Sequence, residues 1–378
     1  MMRVLVLCEF ASLNGGEHSL LAAAQCLDRR QFEVCFAAPP AGPLANAIAS
    51  NGWELIPYSS VDEAGHSSSL TERRERLRRL LAHWRPAVLH ANSVSMSRLS
   101  GPVAESMRIP SLGHLRDIVR ISAAAIEALR HHRRLLAVSA ATRDWYRELG
   151  LRDVDLRVEY NGVDLNRFRP GTPTGYLHDE LDLDRQLRLV GTIGQIGLRK
   201  GTDALLEAMH QVAMHHPDTH VVIVGQRYSQ KAEAVAFEQD VRSLADDPRL
   251  SGRVHWLGVR TDIAELLREL SVYVHAARQE PLGRVLLEAA ASGVAIVATD
   301  AGGTREIFPE SIDSAEIVPV DSVDALAQAI QHLLGDPLRA AALGANARNR
   351  AAAFDVQSVA GNLAGHYLEI AGNEPSVT

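Results

Sequence analysis

The chain has 378 residues, 46% hydrophobic and 5% aromatic, with 39 Lys plus Arg against 46 Asp plus Glu for a formal net charge of −7. This is the composition of a globular protein with a sizeable core, and the length predicts two domains. No apolar run approaches the roughly 20 residues a membrane span needs, and "MMRVLVLCEF" is too short in its apolar run for a secretory leader, so the expectation is a cytoplasmic chain. Cys8, Cys26 and Cys35 are odd in number and spaced for neither a disulfide framework nor a zinc site, which leaves them as reduced core residues. Only Lys200 and Lys231 are lysines, so a lysine here is not interchangeable filler. Residues 1 to 170 carry 22 Arg against 18 Asp plus Glu, a charge of +4, which leaves −11 for the remainder.

In chain order, "RVLVLCEF" is an apolar run of strand length, "ASLNGGE" a turn and "HSLLAAAQCLDRR" a helical pattern. Strand, Gly turn and helix open a doubly wound unit. Further strand-length runs follow at "FEVCFAAP", "ELIPYS", "AVLHAN", "PSLGHL" and "RLLAVSA". Between them, "LTERRERLRRLLAHW" places Leu70, Leu77, Leu80, Leu81 and Trp84 on one stripe and five arginines, Arg73 to Arg79, around the rest. That helix either docks its stripe on the sheet or lies on an anionic membrane, and the two readings are compatible. The series fades into the Gly-, Pro- and Asp-rich stretch from "VEYNGVDLNRF" to "HDELDLD", which reads as a linker. A second series runs through "LRLVGTIGQIG", "HVVIVGQ", "RVHWLG", "SVYVHAA", "VAIVATD" and "EIVPV". The tail, "VDALAQAI" to "GHYLEIAG", has helical spacing only and is expected to pack back on the first half. The fold class is α/β, two Rossmann-like halves in tandem: 1–170, a linker 171–187, 188–354, and a returning tail 355–378. Ligands of such sheets bind outside the carboxyl ends of the strands, so a cleft between the two carboxyl edges is expected.

"TIGQIGLRKG" follows a strand and precedes the helix "TDALLEAMHQV", a setting in which backbone amides and Lys200 can receive an anion. Its glycines, Gly191, Gly194 and Gly197, match neither the dinucleotide fingerprint nor the P-loop. Further on, "SVYVHAARQE" is a strand and its end, and "PLGRVLLEAAASG" a helix with Pro281 near its start and Gly293 after its end. Joined by continuous helix, Glu280 and Glu288 would lie roughly 12 Å apart. That is too far for the carboxylate pairs of glycosidases, about 5 to 9.5 Å. The two suit the ends of one elongated ligand lying across a helix N-terminus, with the amides of Leu282, Gly283 and Arg284 toward an anion. Asp153/Asp155 and Asp182/Asp184 lie in polar connections and are not read as a metal site. His131-His132 and His215-His216 are adjacent rather than four apart and read as solvated helix ends.

Taken together, Gly15-Gly16, "AVLHAN", His114 in "GHLRD", "VSAATRDWY", "YNGVDLNRF", Lys200-Gly201, "WLG", Glu280 to Glu288 and "GGTREI" resemble the retaining glycosyltransferases of family four, with the GT-B fold. The likeness covers almost the whole chain, and the block holding both glutamates is its most specific part. It implies a nucleoside diphosphate sugar as donor, a glycan or lipid-linked acceptor hydroxyl, no metal or other cofactor and no nucleic-acid partner. By the same resemblance Glu288 would hold the ribose, Glu280 the sugar ring, and the backbone from Leu282 through Gly283 and Arg284 to Val285 the diphosphate and sugar. Lys200 would neutralise the diphosphate, with Gly194 and Arg199 in the same loop. His114 would sit at the reacting sugar, while Gly15 and Gly16 would let the first loop approach donor and acceptor. Family members often carry Arg where this chain has Gln195, which moves weight onto Lys200 and Arg199. A nucleotide-sugar epimerase or hydrolase on the same architecture is the rival activity. The positive first half adds the expectation of a peripheral contact with the anionic inner face of a membrane.

Overall fold

The computed structural model describes residues 1–61 and 68–372. The chain forms two compact units, Met1–Gly162 with Val356–Thr378, and Val163–Asp355. Residues 373–378 of the expected tail lie outside the described residues.

The first unit holds seven strands: β1 (Met2–Leu7), β2 (Phe32–Ala38), β3 (Glu54–Pro57), β4 (Val88–Ala91), β5 (Ser111–Leu115), β6 (Arg134–Ala137) and β7 (Leu156–Val158). They pair in parallel in the order β3-β2-β1-β4-β5-β6-β7, so the strand order reverses between β1 and β4. Val4 to Leu7 of β1 are all buried because helices cover both faces, which is why the strand reads as unbroken apolar sequence rather than as alternation. Strand β7 was not apparent in the sequence. It has three residues, of which only Leu156 is buried, too few for a period to show.

Helix Leu70–Trp84 docks Leu77, Leu81 and Trp84, and its start is fixed by Ser69, which receives the Glu72 amide at 3.2 Å while the Glu72 carboxylate accepts the Ser69 amide at 2.8 Å. Its arginines are less available than the helical stripe suggested. Arg74 donates to the carbonyls of Leu99 and Arg98, Arg76 to that of Ser59, and Arg78 pairs with Glu75. Only Arg78 and Arg79 of the five are exposed. A second correction concerns His132, which is no solvated helix end: it is buried, with Ser111 Oγ at 2.9 Å and the Ser97 carbonyl at 2.8 Å. His216 is likewise half-buried, in contact with Arg188 at 3.0 Å.

The last helix, Val356–Ala371, belongs to the first unit. Ala360, Leu363, Tyr367 and Ile370 join the cluster built on Val4, Val6, Leu20 and Phe36. Polar bonds tie it down as well, with His366 between Arg134 at 3.0 Å and Glu159 at 3.1 Å.

The second unit holds β8 (Arg188–Ile193), β9 (Thr219–Val224), β10 (Val254–Gly258), β11 (Val272–His275), β12 (Ala295–Thr299) and β13 (Glu316–Val318). All are parallel, in the order β10-β9-β8-β11-β12-β13, with the reversal between β8 and β11. The expected linker 171–187 lies inside this unit and contains a short helix, Tyr176–Glu180, whose Leu177 is buried. Helices Val323–Gly335 and Pro337–Ala351 contribute Leu326, Ile330 and Leu343 to the core around Val190, Val221 and Val272.

Candidate functional site

In an open parallel sheet a ligand settles beyond the strand ends where the order reverses, here after β8 and β11. The chain leaving β8 makes a 3-10 turn at Leu198–Lys200 and enters helix Thr202–His215 through Gly201, at φ +64°. An added Cβ at Gly201 would stand 1.9 Å from the Ala276 carbonyl oxygen, so only glycine brings this turn against the end of β11. Arg278 locks the contact. Its amide donates to the Arg199 carbonyl at 2.9 Å, and its guanidinium reaches both Asp203 oxygens at 2.8 Å, the Leu198 carbonyl at 2.9 Å and Asp321 at 2.6 Å.

The turn is thereby set so that Lys200 Nζ meets Glu280 Oε2 at 2.5 Å. His275 Nε2 lies 2.8 Å from the same oxygen, and the Tyr273 hydroxyl lies 3.2 Å from His275 Nδ1. Burial alone would raise the Glu280 carboxyl, but the adjacent Lys200 charge and the His275 hydrogen bond outweigh it and hold the group well below the usual carboxylate range. Burial also pushes His275 below its ordinary value, against the pull of Glu280, so the imidazole is neutral at pH 7.

The stretch 281–283 is not helical, which corrects the expected start: the helix runs Arg284–Ser292 and is entered from Gly283 at φ +103°. The roughly 12 Å separation assumed for a continuous helix therefore does not apply. The Gly303 amide, in "GGTREI", donates to the Glu280 carbonyl at 3.0 Å and fixes the backbone of that carboxylate. One turn into the helix, Glu288 is 2% exposed and Arg284 donates to its Oε1. Glu288 Oε2 and Arg284 Nε have no hydrogen-bond partner among the described residues. Burial raises the Glu288 carboxyl while Arg284 and Arg167 act against the rise. The Leu282 side chain is buried and Val285 half-buried, so the backbone amides are what this corner offers an anion. The Lys200 stem runs beside Gly194, and among the described residues the Arg199 guanidinium reaches only the Gln279 carbonyl, at 3.5 Å. An ammonium, a helix N-terminus and two carboxylates, one with a bare buried oxygen, suit a ligand that is anionic at its centre and hydroxylated at its ends.

In the first unit, Gly15 and Gly16 are not part of the expected turn: they are the first two residues of helix Gly15–Gln25, the helix that follows β1. An added Cβ at Gly16 would stand 2.8 Å from Arg116 Cδ. Arg116 donates to Asn92 at 2.8 Å, to Asn161 at 2.8 Å and to His114 Nδ1 at 3.1 Å. Since Nδ1 accepts from Arg116, the His114 proton sits on Nε2, which has no partner among the described residues. Burial, then Arg116, hold His114 well below its ordinary value, so it is a neutral donor. His90 stacks on it at 5.6 Å and contacts the Tyr367 hydroxyl at 2.7 Å.

Sequence reasoning missed Arg116, His90 and Asn92 in the first unit and Tyr273, His275 and Arg278 in the second. Five of the six share one signal: a polar side chain within or just past an otherwise apolar strand. Asp155, half of one acidic pair, is bonded to Arg134 and Arg157. Among the described residues no group of three or more His, Cys, Asp or Glu is arranged to hold a metal.

Residues 177–350 match the family model for glycosyl transferases group 1, and residues 13–167 match that for glycosyltransferase family 4. The lipopolysaccharide core biosynthesis mannosyltransferase LpcC of Rhizobium leguminosarum bv. viciae is 30% identical over 79% of this chain and 84% of its own length. The corresponding enzyme LpsB of Rhizobium meliloti is 30% identical over 51% of this chain and spans 55% of its own length. The phosphatidyl-myo-inositol mannosyltransferase of Mycolicibacterium smegmatis is 28% identical over 98% of this chain and 95% of its own. Among solved structures, Anabaena Alr3699/HepE in complex with UDP and glucose superposes with a TM-score of 0.84 at 22% identity, over 96% of this chain and 98% of that one.

Proposed function

The chain belongs to the family-four, group 1 glycosyltransferases of GT-B fold and is a glycosyltransferase, and from that premise we propose that it moves a hexose from a nucleoside diphosphate sugar to an acceptor hydroxyl with retention at the anomeric carbon. The observation that carries this reading is the joint setting of Lys200, Glu280 and Glu288 at the strand reversal of the second unit. The two ribose hydroxyls donate to Glu288, whose Oε2 is otherwise bare. Lys200 and the amides at Leu282, Gly283, Arg284 and Val285 receive the diphosphate, and Glu280 accepts from the sugar ring. As the glycosidic bond breaks, negative charge grows on the leaving diphosphate, and an ammonium and a helix N-terminus already in place stabilise that charge without reorganising. His114, a neutral Nε2–H donor, is assigned to the reacting sugar, and Gly15 and Gly16, at the start of their helix, to the approach of the substrates. No step requires a metal.

A mannosyl donor is the first to try, because the three relatives described above are mannosyltransferases. Their names, which refer to lipopolysaccharide core and phosphatidyl-myo-inositol, also favour a lipid-linked or cell-envelope glycan as acceptor. Among the described residues no helix is long and apolar enough to cross a membrane. A peripheral membrane contact through helix Leu70–Trp84 would fall to Arg78 and Arg79, its two exposed arginines. The test is a thermal-shift screen against GDP-mannose, UDP-glucose, ADP-glucose and TDP-glucose. It is followed by NMR assignment of the anomeric configuration of the product, in buffer with and without EDTA. Stabilisation by none of the sugar nucleotides overturns the donor reading. An inverted product overturns retention, and a loss of turnover in EDTA that Mg²⁺ restores overturns the metal-free step.

A further inference from the structure

Glu280 presents its two oxygens unequally. Oε2 accepts from both Lys200 and His275, at 2.5 and 2.8 Å, and Oε1 has no hydrogen bond among the described residues. The two donors differ in how firmly they are held. Lys200 sits at the end of a 3-10 turn, 19% exposed along a flexible stem, and an ammonium is a compact charge that follows the strongest nearby anion. His275 is 3% exposed and ends β11. Its carbonyl accepts from Thr299 Oγ1 at 3.2 Å, and its backbone is paired with Ala298 of β12. Residues 273 and 275 point to one face of the strand, so Tyr273 lies where its hydroxyl meets His275 Nδ1. A single neutral tautomer makes both contacts, with Tyr273 donating to Nδ1 and Nε2–H donating to Glu280. Tyr273 is wholly buried, a place where phenylalanine would pack as well and only the hydroxyl's partner distinguishes the two.

A bound diphosphate changes the balance at Oε2. It carries more charge than one carboxylate and competes for the Lys200 ammonium. Once that ammonium moves, a carboxylate 6% exposed keeps its place only if another donor holds it. We propose that His275, seated by Tyr273, is the positioning residue for Glu280 in the donor-bound enzyme, holding Oε2 while Oε1 accepts from the sugar and Lys200 turns to the diphosphate. This rests on the assignment of Glu280 to the sugar and Lys200 to the diphosphate.

The experiment compares Glu280→Gln, His275→Leu, His275→Gln, Tyr273→Phe and the double variant His275→Leu/Glu280→Gln. Affinity is measured for GDP and GDP-mannose by calorimetry, and turnover with GDP-mannose, or with UDP and UDP-glucose if those stabilise the wild type. His275→Leu is expected to lower kcat about tenfold to a hundredfold, the worth of one hydrogen bond to a charged group, with affinity for the free diphosphate within about twofold. His275→Gln, which keeps an N–H, restores part of the loss. Tyr273→Phe lowers kcat about threefold to tenfold, the worth of a neutral hydrogen bond. The double variant is no slower than Glu280→Gln alone, because both changes remove one function. If Glu280→Gln loses turnover while His275→Leu and Tyr273→Phe keep wild-type kcat, the positioning role falls and the reading of Glu280 stands. If Glu280→Gln itself is fully active, the reading beneath it falls. Should His275→Leu not fold, the other variants decide: full activity of both His275→Gln and Tyr273→Phe, with the free diphosphate bound as in wild type, overturns the role of Tyr273, and an additive double built on Tyr273→Phe and Glu280→Gln overturns the link to Glu280.

Discussion

The two units share a parallel strand order with one reversal, yet they bury titratable groups in opposite ways. Beyond β8 and β11 the second unit pairs charges, Lys200 with Glu280 and Arg284 with Glu288. Within β4 and β5 the first unit stacks imidazoles, His90 on His114, and burial keeps them uncharged. A buried charge survives beside its opposite, whereas a buried imidazole avoids the desolvation cost by giving up its proton. The second unit thus presents paired charges beyond its strand ends, and the first a neutral imidazole donor at His114.

Acid should separate the two most strongly. Burial first of all, then neighbouring Arg116, lowers His90 to about 3, and burial lowers His132 to about 4. In the unfolded chain both titrate near 6.5, so below that pH the unfolded state binds more protons and stability is lost as pH falls toward the folded values. At pH 5 the two together cost roughly 4 kcal/mol. Chemical denaturation at pH 7, 6 and 5 should show a steady decline in which His132→Asn and His90→Asn each flatten the pH dependence. A midpoint unchanged between pH 7 and 5 would erase the contrast.

The paired charges of the second unit give the next three effects. Glu280→Gln should lower turnover about 10²- to 10³-fold, the scale for a group acting at the reacting centre. Its affinity for the free nucleoside diphosphate should be little changed, and an equal loss in both would move Glu280 to the nucleotide. Lys200→Ala should weaken diphosphate binding by roughly 1.5 to 3 kcal/mol, tenfold to over a hundredfold, as read by calorimetry in low salt. Unchanged affinity would transfer the role to Arg199. Glu288→Gln should cost about tenfold for diphosphate and sugar nucleotide alike, since the ribose is common to both. A loss confined to the sugar nucleotide would exchange the two glutamates.

The smallest effect belongs to the surface of the first unit. Arg78→Gln with Arg79→Gln should reduce co-sedimentation with anionic vesicles at low salt by roughly 2 kcal/mol at most, about 1 per arginine, and by nothing measurable with neutral vesicles. Equal binding of variant and wild type would remove this helix from any membrane contact.

Much of this was legible in the chain. Twelve of the thirteen parallel strands among the described residues were announced by apolar runs, and Glu280, Glu288 and Lys200 stood out through spacing, position and the scarcity of lysine. The supporting residues were not. Arg278 makes sense only beside Asp203 and Asp321, which lie 75 and 43 positions away. Tyr273 and His275 share a face only once β11 is known to be extended, and their partner is five residues on, past a turn no period describes. The arginines of Leu70–Trp84 read as solvated because the carbonyls that occupy Arg74 and Arg76 belong to other elements, 17 to 25 residues distant. Helical spacing shows which face is apolar. It does not show which charged residues are already in use.

The last helix has a consequence for how the protein is made. Its Tyr367, Leu363 and Ile370 cover apolar surface on the first unit's sheet, yet they leave the ribosome after all of Val163–Asp355. At about 5 to 20 residues per second, that interval lasts on the order of 10 to 40 s. Throughout it the nascent first half lacks the helix that covers Leu20 and Leu21 of helix Gly15–Gln25 and Phe32 and Phe36 of β2. The second unit, contiguous in sequence, has no such wait. During synthesis the half that begins first is thus the one completed last, and it is the half on which a chaperone that binds exposed apolar sheet would act.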